Sequence, residues 1–520
     1  MLQKNDEIEL QITDMGSDGE GIGRFEGMAF FVPGAITGDR ITAGVTKLKK
    51  TYGYARLIRI VEPSADRTEP VCPIASKCGG CQLQHMSYAA QLRYKENKVL
   101  NDLVRIGGVD AGHLVWCESV GTDGEKPAAE HTSSEATDRI LFHRIIGMEH
   151  PYNYRNKGQF PVGSSRDGRV ISGFYAGHTH SIIETEKCPV QHPIADMLMS
   201  AVRSYMTEAG VSAYAEQSGA GLVRHVLTRV GFTTGEVMVC VVVNGRSIPQ
   251  QALLITKLQQ AVDKYNAHLC KEAEKKGQDS IGDTEENAAW KDMRSRAAEK
   301  YTLASVTINI NTANTNVIMG NKCVTLYGRD YIEDYIGNIK YRISPLSFYQ
   351  VNPVQTLKLY STALEYAGLT GTETVWDLYC GIGTISLFLA RRAARVYGVE
   401  IVPQAIEDAR VNTEINGITN AEFHVGAAEE VMPARLAADP SIRADVIVVD
   451  PPRKGCDEAL LDCAVRMEPG RIVYVSCDPA TLARDIKYLS GRGYRLCEVQ
   501  PVDMFGQSGH VETVVLLSGK

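Results

Sequence analysis

The sequence predicts a multidomain α/β protein: a small N-terminal β-barrel of OB-like kind, a mixed α+β central region, and a C-terminal doubly wound, Rossmann-like α/β domain. Four observations carry this. Residues 1–63 alternate apolar and polar types between turn glycines, and residues from about 346 repeat strand then helix. Residues 64–345 hold strand-like runs without that repeat, and 520 residues suit about three domains.

In the first unit, Ile8-Glu-Leu-Gln-Ile12 alternates with period two and Met15 to Gly23 is rich in turn glycines. Met28 to Val32 follows as a strand, Pro33-Gly34 turns the chain, and Arg40 to Val61 supplies two more strands around Tyr52-Gly-Tyr54. Between 40 and 61 lie Arg40, Lys47, Lys49, Lys50, Arg56 and Arg59, and no acid. Cations interleaved with tyrosines on a small barrel suit single-stranded nucleic acid, by phosphate attraction and base stacking. A solvated strand face gives the same pattern, so this feature alone does not decide.

Glu62-Pro63-Ser64 reads as a linker into the central region, which predicts a helix from Tyr88 to Val104 and then strands up to Cys240. Beyond 346 the strands are Thr374 to Leu378, Arg395 to Val399, Asp445 to Val449 and Arg471 to Ser476. Helices are expected over Ile385–Arg392, Gln404–Asn416 and Ala480–Leu489, the second stopped by Gly417.

Composition narrows the class. The chain is 44% hydrophobic and 22% charged, ordinary for a globular protein, and no apolar run reaches the roughly 18 residues of a membrane span. The first fifteen residues lack a signal-peptide core, so a cytoplasmic protein is expected, without a membrane partner. A net charge of −7 argues at first against a nucleic-acid partner, but two polar segments carry five of those charges. Residues 118–140 read as a mobile loop and 269–300 as an exposed helical excursion, so whole-chain charge misrepresents the binding surface.

Trp376-Asp377-Leu378-Tyr379-Cys380-Gly381-Ile382-Gly383-Thr384 follows a strand and opens a helix. Such glycines let the backbone pass close to a ligand at the carboxyl edge of the sheet. Glu400 ends the next strand, where a carboxylate accepts hydrogen bonds from ribose hydroxyls. Position 386 is Ser where a dinucleotide fingerprint has its third glycine, and Asp-x-x-x-Gly-x-Gly favours S-adenosylmethionine over NAD.

Two later strands end in reactive groups. Val446-Ile-Val-Val-Asp450-Pro451-Pro452-Arg453 brings a carboxylate and a stiff turn to the sheet edge, and Val473-Tyr-Val-Ser-Cys477-Asp478-Pro479 brings a thiol. Ligands of open α/β sheets bind along that edge, so Asp450 and Cys477 belong beside the cofactor. Thirteen cysteines in a chain without an export signal argue against a disulfide framework. Cys72-x5-Cys78-x2-Cys81 holds one metal-type knuckle, and spacing alone leaves zinc or iron–sulfur open.

In this order the motifs resemble the uracil-5-methyltransferases of ribosomal and transfer RNA, over essentially the whole chain apart from the two polar inserts. The N-terminal Gly-x-Asp-Gly-x-Gly and Phe-Val-Pro-Gly-Ala resemble a TRAM RNA-binding barrel; Tyr154-Arg-Asn-Lys157 and Ser347-Phe-Tyr-Gln350-Val-Asn352 are also similar to the family. The resemblance implies a TRAM barrel at 1–63, a central RNA-binding domain at 64–345 and a class I methyltransferase domain at 346–520. It implies S-adenosylmethionine bound by Gln350, Tyr379, Glu400 and Asp450, Cys477 as nucleophile and Glu512 as general base. It also implies a [4Fe–4S] cluster on Cys72, Cys78, Cys81 and Cys188. The expected protein is a monomer acting on RNA, 23S rRNA before transfer RNA. The rivals are another methylase, disfavoured because Arg453 and not an aromatic follows Asp-Pro-Pro, and a non-catalytic RNA-binding assembly factor.

Overall fold

The computed structural model describes residues 2–118, 139–177, 179–276, 298–439 and 442–519. Most of both polar inserts, 119–138 and 277–297, falls outside the described residues, and with them the expected loop and most of the expected helical excursion.

The chain opens with β1 (Glu7–Met15), β2 (Gly21–Phe25), β3 (Met28–Val32), β4 (Arg40–Leu48) and β5 (Tyr52–Glu62), closed in the order β1-β2-β3-β5-β4. Alternation explains the closure. Ile8, Leu10 and Ile12 of β1 point inward with Phe30, Val32 and Ile41, while the residues between them face solvent.

Helix α1 (Tyr88–Arg105) is capped by Ser87, whose side chain accepts from the backbone of Ala90. After β6 (Leu114–Cys117) and β7 (Ile140–His143) the chain builds a separate seven-stranded sheet. Its elements are β8 (Lys157–Ser164), β9 (Val170–Tyr175), β10 (Ile182–Glu184), α2 (Pro193–Glu208), β11 (Val223–Val230), β12 (Glu236–Val243), α3 (Gln251–Lys276), β13 (Thr302–Ile310) and β14 (Lys322–Gly328). The order is β10-β9-β8-β11-β12-β13-β14, antiparallel except for β12 and β13, which α3 connects. Helices α2 and α3 pack on it around Leu198, Val202, Leu254 and Leu258. A hairpin, β15 (Ile332–Ile336) and β16 (Ile339–Ile343), then leads into the last unit.

That unit runs α4 (Pro353–Ala367), β17 (Thr374–Leu378), α5 (Thr384–Ala390), β18 (Arg395–Glu400), α6 (Pro403–Ile415), β19 (Ala421–Val425) and α7 (Ala428–Ala438). It continues with β20 (Val446–Val449), α8 (Glu458–Arg466), β21 (Arg471–Ser476), α9 (Pro479–Ser490), β22 (Arg495–Val502) and β23 (Glu512–Ser518). The nine-stranded order is β19-β18-β17-β20-β21-β23-β22-β7-β6. Strands β17, β18, β20 and β21 are parallel and covered on both faces, which explains runs such as Val446–Val449 with no polar residue. Successive residues serve opposite cores: Val375 faces the side packed by α4 and α5, and Trp376 and Leu378 face the side packed by α1, α8 and α9. The strand order reverses between β17 and β20, which opens a crevice at their carboxyl ends. Strand β23 runs antiparallel between β21 and β22, so its first residue, Glu512, sits at the edge where β21 ends.

Candidate active site

A cleft of about 720 Å³ occupies this edge, and Gln350, Tyr379, Glu400, Asp450, Cys477 and Glu512 all line it. Six residues from separate strand ends and one loop thus meet in one space.

The first wall is mostly backbone. Gly381 and Gly383 have φ of +54° and +80°, and a side chain on Gly381 would meet nothing within 4 Å, so its missing Cβ leaves room in the cleft. Gly383 is different: a Cβ there would come 3.2 Å from the Phe423 ring. Tyr379, also in the left-handed region at +69°, holds a strained turn at the end of β17. Glu400 accepts from the backbone N–H of Gly381 at 3.3 Å and of Val402 at 3.0 Å, which fixes its carboxylate against the loop. Behind the loop, buried Asp377 accepts a hydrogen bond from the Ser386 hydroxyl, and burial pushes its carboxyl up to about 7.

The opposite wall is made of side chains stripped of water. Desolvation pushes Asp450 up to about 7, and desolvation with the nearby Asp450 charge pushes Glu512 up to about 8. Glu512 is 3% exposed, so its carboxyl is shielded in the free protein. Burial and then the Glu512 and Asp450 charges push the Cys477 thiol up to about 12, while Arg453 opposes the shift at both Cys477 and Glu512. Asp478 caps α9 by accepting from the backbone of Ala480 and Thr481, which pins the turn that carries Cys477. Two acids with raised pKa thus stand beside a thiol and one cation in a cleft, a grouping that marks a candidate site for proton transfer.

The sequence motifs did not single out Asp377, Phe505 or His510 as site residues, yet all three line the cleft. His510 receives a hydrogen bond from the Arg453 guanidinium at 3.3 Å, and burial and then the cationic neighbours pull its imidazole down to about 4, so it is the neutral acceptor. Asp377 stood in the quoted loop motif and His510 two positions before Glu512; Phe505 carried no signal at all.

The four other sequence-predicted residues lie away from the cleft. Cys72 is buried and Cys78, Cys81 and Cys188 are half-buried. Burial pushes the Cys81 thiol up to about 11 and Cys188 up to about 12. Cys72, Cys78 and Cys81 act on one another electrostatically and Cys81 acts on Cys188, so segments over a hundred residues apart are neighbours here. Cys81 and Cys188 also pack against the same small core of Met148, Tyr154 and Val190. Four thiols are the number and type of ligand a [4Fe–4S] cluster takes. Among the described residues, no three His, Cys, Asp or Glu side chains are gathered closely enough to hold a single metal ion.

Comparison with known proteins gives the family. Residues 287–520 match the family described as tRNA (Uracil-5-)-methyltransferase, and residues 2–58 match the TRAM domain. The chain belongs to the S-adenosylmethionine-dependent RNA (uracil-5-)-methyltransferases. A protein of Halalkalibacterium halodurans described as an uncharacterized RNA methyltransferase is 44% identical over 100% of this chain and 98% of its own. Another from Caldanaerobacter subterraneus subsp. tengcongensis, described the same way, is 42% identical over 98% of each. Among solved structures, the Pyrococcus abyssi tRNA (uracil-54, C5)-methyltransferase in complex with S-adenosyl-L-homocysteine superimposes with a TM-score of 0.67. It is 25% identical, over 98% of this chain and 100% of that one. The N-terminal barrel is therefore a TRAM domain and the C-terminal unit a methyltransferase fold. Among the described residues, no helix is long and apolar enough to cross a membrane.

Proposed function

We propose that this protein methylates C5 of a uridine in 23S rRNA through a covalent adduct between Cys477 and uracil C6. The observation that carries the reading is one cleft shared by a thiol, two desolvated carboxylates and the glycine loop with Glu400.

Uracil C5 is a poor carbon nucleophile. Cys477, losing its proton to a carboxylate of the cleft as its sulfur adds to C6, turns the ring into an enolate whose C5 attacks an electrophilic methyl. When bound, S-adenosylmethionine would supply that methyl and leave as S-adenosylhomocysteine, and Gln350, Tyr379, Glu400 and Asp450 would hold it. Glu512 then removes the C5 proton, and the C6–S bond breaks to release Cys477. A carboxyl near 8 suits this exchange, because it is ionised in a useful fraction at neutral pH and is a stronger base than a solvated glutamate. Reaching C5 requires the base to leave its stack and enter the cleft.

Cys72, Cys78, Cys81 and Cys188 would hold a [4Fe–4S] cluster with a role in folding and in shaping the RNA surface, since methyl transfer needs no electron. The rRNA target follows from these cysteines, because family members that carry a cluster act mostly there. Transfer RNA is the second reading, favoured by the likeness to the Pyrococcus abyssi tRNA enzyme. The protein would work as a monomer in the cytoplasm.

The test is methyl transfer from labelled S-adenosylmethionine to bulk RNA, with product nucleosides separated. Label in 5-methyluridine supports the reading; label only in adenine, guanine or cytosine derivatives overturns it. Mapping 5-methyluridine in cells lacking the protein assigns the RNA. Protein prepared without oxygen should be brown, with iron and sulfide; a colourless, zinc-containing and active preparation overturns the cluster alone.

A further inference from the structure

Glu512 is reached through the connection from β22 to β23, residues 503–511, whose loop 503–510 puts Phe505 and His510 into the cleft. The loop contains no helix or strand of its own, yet its backbone is held almost atom by atom from outside. Lys95, on α1 and wholly buried, pairs with Asp503 at 2.5 Å and donates to the Phe505 carbonyl at 3.0 Å. The other Asp503 oxygen accepts from the Tyr88 hydroxyl at 2.7 Å. Gln91, one turn before Lys95, exchanges two hydrogen bonds with Gln507: its amide donates to the Gln507 side chain at 3.0 Å and its oxygen accepts from the Gln507 backbone at 3.1 Å. Gln507 needs such support, since it sits at φ +70° without being glycine.

The same loop is gripped from the cysteine side. The backbone N–H groups of Gln82 and Leu83, the two residues after Cys81, both donate to the Gln507 carbonyl at 3.0 Å. The Tyr154 hydroxyl donates to the Gly506 carbonyl at 3.0 Å, and Tyr154 packs in the small core that Cys81 and Cys188 flank.

A buried ion pair is a weak source of net stability, because desolvating two charges offsets most of their attraction. Its better-attested use is to select one arrangement. We infer that Gln91 and Lys95 of α1 are positioning residues: with the Cys81–Leu83 segment they fix the 503–510 loop, and through it Phe505 and Glu512, in the geometry the reaction needs. They touch no reacting atom and act through the loop. The inference rests on the proposed role of Glu512, and it makes the cysteine region the mechanical support of the reacting half of the cleft.

The experiment compares wild type with Gln91→Met, which keeps the volume but removes the exchange with Gln507 along with the donations to the Leu83 and Met86 carbonyls, and with the double variant Lys95→Met/Asp503→Leu, which leaves no unpaired buried charge. Arg93→Gln, on the exposed side of α1, is the control. Each is assayed for 5-methyluridine turnover, affinity for S-adenosylhomocysteine, melting temperature, and hydrogen exchange of backbone amides in 503–510. The expected result for Gln91→Met is a kcat at least tenfold lower with S-adenosylhomocysteine affinity within twofold, a melting temperature within a few degrees, and faster exchange confined to the loop. The double variant should behave likewise, and Arg93→Gln should match wild type. Wild-type kcat in a variant whose loop exchanges faster overturns the inference, as does a kcat loss that only follows the unfolded fraction. A wrong parent reading shows instead in the wild-type product, which would carry no 5-methyluridine.

Discussion

The two walls of the cleft are built by different physics. The Gly381–Gly383 wall is backbone geometry: a strained turn, two glycines and a carboxylate tied to the N–H groups beside it. The wall of Asp450, Cys477 and Glu512 is desolvated side chains, with the Asp450 charge raising Glu512 and both carboxylate charges raising Cys477. The first wall is formed within one βαβ segment, so it depends on few distant contacts. The second is assembled from three strand ends and a clamped loop, so it depends on the whole sheet. Binding and chemistry should therefore separate under mutation.

The sharpest separation is expected at Cys477. Cys477→Ala should lower 5-methyluridine formation on the order of 10³-fold or more while S-adenosylhomocysteine still binds by calorimetry, because Cys477, the proposed nucleophile, shares no described hydrogen bond with the glycine wall. A variant that loses both together would break the comparison. Glu512→Gln comes next. Adduct formation should persist while its breakdown slows by roughly 10²–10⁴-fold, the usual weight of a general base, so the RNA–protein adduct accumulates on normal substrate in a denaturing gel.

On the other wall, Glu400→Gln should weaken S-adenosylhomocysteine binding by about tenfold, the cost of one or two hydrogen bonds, with kcat at saturating cofactor nearly unchanged. The smallest effect is thermal. Glu512 has a folded pKa near 8, above its unfolded value, so its stabilising contribution is complete below the unfolded value and is lost as pH rises through 8. Glu512→Gln should therefore melt a few degrees above wild type at pH 8.5 and close to it at pH 4, measured by scanning calorimetry without ligand. Equal melting temperatures at pH 8.5 would mean the carboxyl is solvated.

The parallel half of the C-terminal sheet was legible because burial on both faces leaves apolar runs that nothing else explains. Thr374–Leu378 and Arg471–Ser476 match their sequence-predicted bounds. The antiparallel return was not legible. Strand β23 begins at Glu512 after a loop with no periodicity, and only its pairing with β21 brings that carboxylate to the cleft. Strands β6 and β7 likewise extend the C-terminal sheet from residues 114–143, and short strands in a polar stretch carry no local sign of so distant a partner. In the site, the glycine loop, Glu400, Asp450 and Cys477 announce themselves by their place at strand ends. Phe505 and the buried Lys95–Asp503 pair do not, because the sequence shows neither a loop's clamp nor which lysine is dry.

The central claim is that Cys477 attacks uracil C6 in this cleft. RNA carrying 5-fluorouridine tests it directly, since fluorine at C5 cannot be removed by Glu512 and the adduct should stall after methyl transfer. Intact mass spectrometry of the denatured protein should show one methylated fluorouracil-containing RNA fragment bound, and peptide mapping should place it on Cys477. No adduct, or an adduct mapped to another residue and surviving Cys477→Ala, would contradict the account.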